Sequence, residues 1–397
     1  MNNSVFHFDV PQNEPVLDYA PGSPERAQLE AELARQAATE IEIPLVIGGE
    51  EVRTGRTRTL VMPCEHGHVL ARCHLAGEAE VRRAAEAALT AHEAWSTLSW
   101  IERASILLRA AELLSKKHRM RINAATMLGQ GKNVHQSEID AACETIDYLR
   151  YNVYFASQIY AGQPRSTLEQ LNRMEYRPLE GFVFAVSPFN FTAIASNLNL
   201  SVALMGNTTV WKPASTALLS NYHLMRLLME AGLPPGVVNF VPGQGSVVGA
   251  TALAHPMLAG VHFTGSNATF NQLWRSVAAN LTSYRSYPRV VGETGGKDFV
   301  FAHASADPLA VATALVRGAF EYQGQKCSAA SRAYVPASLW PEVRDAVTAM
   351  VSRMRVGDVR DLGNFVNAVI DEPAFDNIMR YVGLARASGQ SRVLCGG

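Results

Sequence analysis

Residues 182–212 read FVFAVSPFNFTAIASNLNLSVALMGNTTVWK. Short apolar runs at 182–187 and 208–211 flank a longer stretch at 192–204 that has the length and composition of a core helix. Short apolar runs bounded by turn residues are typical of buried strands. The segment therefore predicts a strand, a helix and a second strand.

The same alternation continues beyond residue 212. The sequence predicts, in turn, a helix, a strand, a helix, a strand and a helix at 217–231, 237–241, 246–254, 260–264 and 266–280. Alternating strands and helices indicate an α/β fold, in which helices cover both faces of a parallel sheet. Such sheets bind ligands at the carboxyl ends of their strands.

The regions on either side of this unit contain further predicted elements. The proline-rich residues 1–24 predict an extended arm, and residues 162–178 lose the helical period. Upstream we predict a helix at 25–38, a hairpin from 43 onward, a strand at 69–74, and helices at 78–95, 99–119 and 134–160. Downstream we predict strands at 289–292, 298–302 and 332–335, helices at 308–322, 339–355 and 374–387, and a last strand ending at 394–397.

Length and composition indicate a globular protein of two or three domains, because 397 residues of which 48% are hydrophobic can bury a large core. A net charge of -1 argues against a nucleic acid or an anionic membrane as partner. The five cysteines are odd in number and include no C-x-x-C pair, which favours a reducing compartment and argues against disulfides and metal sites. No targeting segment is visible at the start of the chain.

Four polar residues stand where chemistry is expected. Cys327 lies between small and polar residues, as an accessible nucleophilic thiol requires, although a free cysteine is more often inert and buried. Glu293 precedes two glycines and suits a general base, Lys212 follows a predicted strand, and Asn190 follows a proline. Each also has an ordinary alternative, as a solvated loop residue, a solvated lysine or a turn residue.

These residues belong to four motifs that occur in order along the chain. The motifs are Pro188-Phe189-Asn190, Trp211-Lys212-Pro213-Ala214, Glu293-x-Gly295-Gly296-Lys297 and Gly324-Gln325-x-Cys327. Together they resemble the aldehyde dehydrogenase superfamily. Within it, residues 130–132, 138–141, 188–193 and 326–329 resemble the Δ1-pyrroline-5-carboxylate (glutamate-γ-semialdehyde) dehydrogenases.

The resemblance implies a covalent mechanism. Cys327 would attack an aldehyde, and the Asn190 amide and the Cys327 backbone N–H would bind the oxyanion that forms. Hydride would pass to a nicotinamide, and Glu293 would activate the water that hydrolyses the thioester.

The resemblance also implies a cofactor site that takes NAD. Lys212 would bind ribose hydroxyls and Ser266 the pyrophosphate, although Ser266 is equally well explained as a helix N-cap. The further cofactor-binding residues are Ser187, Phe189, Ser215, Gly243, Gly245, Thr264, Gly265 and Glu293. Ser215 stands where many NAD-preferring relatives have glutamate, so we expect NAD to be preferred and NADP to be tolerated.

Substrate binding is predicted from four residues. Glu138 would face the ammonium of an amino-acid semialdehyde, Phe191 would pack on its aliphatic part, and Lys326 and Ser328 would bind its carboxylate or carbonyl. The alternative for Glu138 is a solvated helix face that also carries Asp140, Glu144 and Asp147.

The fold implied is aldehyde dehydrogenase-like. Residues 1–160 would hold the arm and the helical part of the NAD-binding domain, and 161–180 a protruding hairpin that pairs subunits. A Rossmann-type NAD-binding domain would follow at 181–292 and an incomplete catalytic domain at 293–397. The full-length protein is expected to form a homo-oligomer, in the cytoplasm if bacterial and in the mitochondrial matrix if eukaryotic.

The chain also departs from the family. Relatives continue through a Glu-x-Phe-Gly-Pro motif that this sequence lacks. We expect either a fragment or a naturally short member with impaired catalysis, with a sheet edge and an apolar face left uncovered. An aldehyde dehydrogenase of other specificity and a non-catalytic nucleotide-binding or assembly protein stay open as alternatives.

Overall fold

The computed structural model describes residues 8–396. Its strands are β1 (Ile41–Ile43), β2 (Leu45–Ile47), β3 (Glu50–Val52), β4 (Thr57–Met62), β5 (Glu65–His74), β6 (Phe182–Val186), β7 (Thr208–Lys212), β8 (Val238–Phe240), β9 (Leu258–Gly265), β10 (Arg289–Thr294), β11 (Asp298–Phe301) and β12 (Ala330–Tyr334). Its α-helices are α1 (Pro24–Ala37), α2 (Glu78–Thr97), α3 (Trp100–Leu113), α4 (Arg119–Gln130), α5 (Val134–Ser137), α6 (Glu144–Ala161), α7 (Thr192–Leu204), α8 (Leu218–Glu230), α9 (Gly245–Leu253), α10 (Asn267–Ala279), α11 (Pro308–Phe320), α12 (Trp340–Ser352) and α13 (Glu372–Ala387). π-helical turns span Leu114–His118 and Glu138–Cys143.

The largest sheet contains the predicted strand–helix–strand unit. Its strand order is β10-β9-β6-β7-β8-β2-β3 among the described residues. Strands β10, β9, β6, β7 and β8 are mutually parallel, and β2 and β3 add an antiparallel edge. The predicted α/β class and parallel sheet are confirmed.

Side-chain alternation explains why this sheet is covered on both faces. Phe182 and Phe184 pack into one apolar cluster with Ala84 and Val248 of the helices on that face. Ala185 points the other way, into a larger cluster with Leu200. Successive side chains of a strand point to opposite faces, so an uninterrupted apolar run needs helices on both sides.

The sequence-based boundaries agree with the structure inside this unit and diverge outside it. Elements predicted between 182 and 280 are all present, with ends that differ by at most two residues. Helix α4 was not predicted, because the basic run at 116–119 resembles the end of a helix. The prediction of a last strand is wrong for residues 391–396, which form no strand, and residue 397 lies outside the described residues.

The structure differs from the sequence-based prediction at one domain boundary and at the predicted hairpin. Strand β10 crosses the limit placed at 292–293, so Glu293 pairs within the large sheet and is not separated from it. Residues 161–180 contain no described strand. They form an exposed excursion whose tip is closed by a hydrogen bond from the Thr167 N–H to the Gln170 carbonyl (2.9 Å). Leu168 at this tip is fully exposed.

The region after β10 is less well covered. Strands β11 and β12 form a separate two-stranded parallel sheet, and Phe299 and Phe301 on it are 61% and 73% exposed. Helix α13 buries no side chain. None of the helices within residues 8–396 is both long and apolar enough to cross a membrane.

The N-terminal arm is attached to the helical layer by a buried ion cluster around Glu138. The Glu138 carboxylate accepts hydrogen bonds from the Leu17 N–H (2.9 Å), the Tyr19 hydroxyl (2.7 Å) and the Asn123 amide (2.8 Å), and pairs with Arg119. Burial raises the pKa of this carboxyl, but the Arg119, Leu17 and Tyr19 donors outweigh burial and hold the pKa below 4.5.

Glu138→Gln should lower the free energy of unfolding by about 3–5 kcal/mol at pH 7, because it breaks a buried ion pair. A depressed carboxyl pKa stabilises the fold above the unfolded-state pKa, and this contribution is lost as pH falls through the folded-state value. Urea unfolding from pH 7 down to pH 3 should therefore show the parent and the variant converging in acid. A difference that stays the same from pH 7 to pH 3 would contradict this account.

Candidate active site

Parallel pairing brings four chain segments to one edge of the large sheet. Strands β10, β9, β6 and β7 are neighbours, and their register aligns Glu293 with Thr264 and Val186 with both Phe263 and Lys212. Three inter-strand spacings separate β10 from β7, which is about 14 Å. The segments following these strand ends thus line a continuous edge of that length.

Lys212 is a half-buried cation at one end of this edge. Its ammonium donates to the Pro213 carbonyl (3.1 Å). Burial, assisted by Arg58, lowers its pKa to about 8. Gly245 lies beside it, since a Cβ there would be 3.9 Å from the Lys212 Cε. An ammonium with spare N–H donors is suited to hydroxyl oxygens of a ligand.

Other predicted cofactor residues lie along the same edge. The Ser187 hydroxyl accepts from the Trp211 indole (2.9 Å), and Thr264 and Gly265 end β9. The Ser266 hydroxyl accepts from the Thr269 N–H (3.2 Å) as the N-cap of α10, which leaves the N-terminus of that helix exposed at the edge. Ser266 therefore acts as an ordinary N-cap. The N-terminus of α10 still offers N–H donors to an anion.

For three further predicted cofactor residues, the structure shows their surroundings. Gly243 is required by packing, because a Cβ there would be 2.5 Å from Val248. The Phe189 carbonyl accepts from the Gln130 side chain (2.6 Å), and Ser215 lies half-buried between β7 and α8.

The loop that carries Cys327 contacts Asn190 through Gln325, where the loop after α11 approaches the start of α7. The Asn190 amide is 8% exposed and donates to the Gln325 carbonyl (3.0 Å), leaving its second N–H available. The Cys327 loop enters through three consecutive left-handed residues, Tyr322, Gln323 and Gly324, with φ of 49°, 56° and 70°. Two of them carry side chains, so the surrounding structure must hold a strained turn here.

Glu293 faces the Cys327 thiol. The Glu293 carboxylate and the backbone N–H groups of Cys327 and Ser328 act on the thiol electrostatically. Burial first, and Glu293 second, raises the pKa of Cys327 to about 11. The site therefore holds a protonated thiol next to an acceptor for its proton.

Gly296 makes this approach possible. A Cβ on Gly296 would overlap the Cys327 carbonyl oxygen and lie 2.7 Å from the Asp298 carboxylate. The loop bearing Glu293 therefore packs backbone to backbone against the loop bearing Cys327. A thiol, a carboxylate and an amide at the edge of a parallel sheet are the groups needed for covalent catalysis on a carbonyl.

Comparison with known proteins agrees with this geometry. The model of the aldehyde dehydrogenase family matches residues 52–397. The chain belongs to the aldehyde dehydrogenase family. The resemblance seen in the four motifs is thereby confirmed.

Individual relatives are similar over almost the whole chain. The mitochondrial Δ1-pyrroline-5-carboxylate dehydrogenase of Dictyostelium discoideum is 47% identical over 394 residues, which cover 98% of this chain and 71% of that protein. The mouse (Mus musculus) protein of the same name is 47% identical over 386 residues, 97% of this chain and 69% of its own length. A crystal structure of the Mycobacterium tuberculosis Δ-pyrroline-5-carboxylate dehydrogenase bound with NAD is 51% identical, with a TM-score of 0.95 over 98% of this chain and 73% of that one.

The predicted substrate residues do not all reach the site of this family member. Phe191 is 9% exposed next to Asn190, and Ser328 is exposed beside Cys327. The Lys326 ammonium is already paired with Asp140 (3.2 Å) and Glu321 (3.7 Å). The prediction that Glu138 faces a substrate ammonium is wrong, because its carboxylate is fully buried and committed to Arg119 and the N-terminal arm.

Glu144 is the acid that sequence analysis missed. The Tyr148 hydroxyl donates to Glu144 Oε1 (2.8 Å), whereas Glu144 Oε2 is buried without a hydrogen-bond partner among the described residues. Burial raises the pKa of Glu144 to about 7, against the Tyr148 hydrogen bond. Glu293 and Cys327 both act electrostatically on Tyr148, so this pair lies within electrostatic range of the Cys327 thiol. The four-residue spacing of Asp140, Glu144 and Tyr148 was the available signal.

We predict that Cys327 alkylation by iodoacetamide, followed by peptide mass spectrometry, rises with pH to at least pH 10 in the free protein. Glu293→Gln removes a carboxylate that opposes thiolate formation, so it should shift the midpoint to lower pH. An unchanged or higher midpoint in the variant would show that Glu293 does not face the thiol.

Proposed function

We propose that this chain is a Δ1-pyrroline-5-carboxylate dehydrogenase, which oxidises L-glutamate γ-semialdehyde to L-glutamate in proline catabolism with NAD. The observation that carries the proposal is the Cys327 thiol facing the Glu293 carboxylate, on a loop whose Gln325 carbonyl accepts from the Asn190 amide at the edge of the parallel sheet. The names of the Dictyostelium and mouse relatives support the substrate.

Attack on the aldehyde uses the thiol and the carboxylate that faces it. The thiol proton passes to Glu293 as the sulfur adds to the aldehyde carbon, which bypasses the high pKa of the free thiol. The carbonyl oxygen becomes an oxyanion, and the free N–H of Asn190 with the backbone N–H of Cys327 stabilise it.

The residues along the sheet edge fit a dinucleotide. Lys212 would bind ribose hydroxyls, the N-terminus of α10 would bind phosphate, and the segment ending at Ser187 would lie between them. A bound NAD would supply the hydride acceptor for the carbon attached to Cys327. Because Ser215 brings no carboxylate to this region, we propose that NADP is tolerated while NAD is preferred.

Release of the acid requires hydrolysis of the Cys327 thioester. Glu293 is exposed to solvent on one side and faces the sulfur on the other. Glu293 first releases to solvent the proton that it took from the thiol, and then accepts a proton from the water that attacks the thioester carbon. The Cys327 thiolate leaves and takes this proton from Glu293. The same carboxylate therefore acts in both halves of the reaction.

Recognition of the amino acid falls to Glu144. A buried carboxylate oxygen without a hydrogen-bond partner is costly, and a substrate ammonium would satisfy it. Phe191 would pack against the methylene groups and Ser328 would bind the carboxylate. Lys326 contributes positive charge nearby while remaining paired with Asp140.

Assembly and compartment are proposed by extension. The exposed apolar residues of 161–180, Leu168 and Leu171 among them, support a homo-oligomer that uses this excursion. We propose the mitochondrial matrix for a eukaryotic source, as the relatives' names suggest, and the cytoplasm for a bacterial one.

NADH formation measured at 340 nm should be faster with Δ1-pyrroline-5-carboxylate than with acetaldehyde, propanal or benzaldehyde, judged by kcat/KM. Cys327→Ala should abolish it while leaving NAD affinity within about twofold, because the thiol forms the covalent bond but does not bind the dinucleotide. Faster turnover of a simple aldehyde would indicate another specificity. NAD binding without any turnover would indicate a non-catalytic nucleotide-binding protein.

Glu144→Gln should raise KM for the semialdehyde about tenfold to a hundredfold, since a hydrogen bond between charged groups contributes about 1.5–3 kcal/mol. Succinic semialdehyde, which lacks the ammonium, serves as the control and should show no such increase. In the parent, KM should fall as pH rises through about 7, where Glu144 ionises, and the variant should lose this dependence. Equal effects on both substrates would remove Glu144 from ammonium binding.

A further inference from the structure

Lys132 is a fully buried cation that the proposed reaction does not use. Its side chain is 0% exposed, and its ammonium donates to Asp140 Oδ2 (2.6 Å). The same nitrogen lies 4.1 Å from the centre of the Phe191 ring and 4.6 Å from that of Tyr322. Burying an ammonium is expensive, and replacing such ion pairs by apolar residues often leaves stability unchanged or improved. Stability alone is therefore a weak reason for this lysine.

Asp140 connects Lys132 to the catalytic loop. One oxygen, Asp140 Oδ2, receives both the Lys132 ammonium and the Lys326 ammonium at 3.2 Å. Lys326 directly precedes Cys327, and its nitrogen lies 5.6 Å from the centre of the Phe191 ring. Asp140 lies in the π-helical turn Glu138–Cys143, an irregularity often found at functional sites.

Residues next to Lys132 hold the two ends of the site together. The Tyr322 hydroxyl donates to the Gln130 carbonyl (2.7 Å), and the Gln130 side chain donates to the Phe189 carbonyl (2.6 Å). Tyr322 is one of the left-handed residues that lead into the Cys327 loop. Segment 130–132 thus binds the Asn190 loop on one side and the Cys327 loop on the other.

We propose that Lys132 and Asp140 are positioning residues, whose buried ion pair fixes the Lys326 ammonium and through it the orientation of Cys327 toward Asn190 and Glu293. Neither residue contacts substrate in this role. The other ionisable groups around the pair are Glu144, Glu321 and Tyr322. The kinetic part of the proposal rests on the proposed function, whereas the reactivity of the Cys327 thiol tests it independently.

Loosening the loop should have opposite effects on catalysis and on simple thiol reactivity. Burial is the main reason that the Cys327 pKa is high, so a looser loop exposes the thiol, lowers its pKa and speeds alkylation. Turnover should fall, because the sulfur, the Asn190 amide and Glu293 no longer share one geometry.

The experiment compares Lys132→Met, Asp140→Asn and the double variant with the parent. Asp140→Asn leaves two ammonium groups without their shared carboxylate and should lower the melting temperature most. The double variant removes the Lys132 charge, leaves Lys326 with Glu321 as its partner, and should recover most of the stability. Its kcat should nevertheless remain about tenfold below the parent, with about fivefold faster Cys327 alkylation at pH 8. Recovery of both kcat and the alkylation rate together with stability would overturn the proposal.

Three further variants test the route through Lys326. Lys326→Met should reproduce the kinetic defect, and adding it to the double variant should cause no further loss, since both act on one pathway. Lys132→Arg keeps the charge and should restore part of kcat. Lys117→Met, which removes an exposed lysine paired with Glu230, is the matched control and should change neither readout. Additive losses would contradict a shared pathway.

Failure of the two proposals can be told apart. A parent that does not oxidise Δ1-pyrroline-5-carboxylate would defeat the proposed function, while the alkylation rates of the variants would still test the role of Lys132. An active parent with unaltered alkylation in the double variant would defeat only the positioning role.

Discussion

Parallel register among β10, β9, β6 and β7 is the constraint on which the rest of the molecule depends. Because neighbouring strands end at the same edge, residues far apart in sequence, such as Lys212 and Glu293, lie along one line. In β9, β6 and β7 the register holds because these strands are largely buried on both faces, so that a slip of one residue would exchange the side chains of two different apolar clusters. Covalent chemistry then needs only one additional loop, which brings Cys327 to this edge.

Buried charge has two separate uses within one π-helical turn. Glu138 points toward Arg119 and attaches the N-terminal arm, whereas Asp140, two residues later, points toward Lys132 and Lys326. Both carboxylates are buried, but only Asp140 is connected to the catalytic loop. Each buried charge is matched by an opposite one, as the cost of an unpaired ion requires. The irregular turn allows the two acids to serve different faces of the helical layer.

Patterns of apolar residues made the large sheet predictable, and motif identity made Cys327, Glu293, Asn190 and Lys212 recognisable as candidate site residues. Glu144, the acid proposed to bind the substrate ammonium, was not predictable in the same way. Glu138, Asp140, Glu144 and Asp147 share one stretch of sequence, and only the packing of the arm against α4 and α6 separates an anchor from an acid beside the thiol. Helix α4 was missed for a related reason: the basic run that resembles a helix end is a π-helical turn, which packing stabilises. A local sequence pattern shows the period of the apolar residues. The partner of each acid and the π-helical turn before α4 depend instead on tertiary packing.

The high pKa of Cys327 follows from the geometry that catalysis needs. Burial and a facing carboxylate keep the thiol protonated. In the free protein the proton is therefore on the Cys327 sulfur, and the Glu293 carboxylate is the group that can accept it. In the proposed reaction with an aldehyde, that proton passes to Glu293 without a prior ionisation step, and the strained turn at Tyr322 and Gln323 leads into the loop that carries the thiol. A more exposed thiol would ionise more readily but would no longer be held opposite the Glu293 carboxylate. Burial in this loop thus lowers the reactivity of the Cys327 thiol toward solutes in general, and the strained turn fixes the path of the loop. Both suit a thiol that is proposed to react with a bound aldehyde.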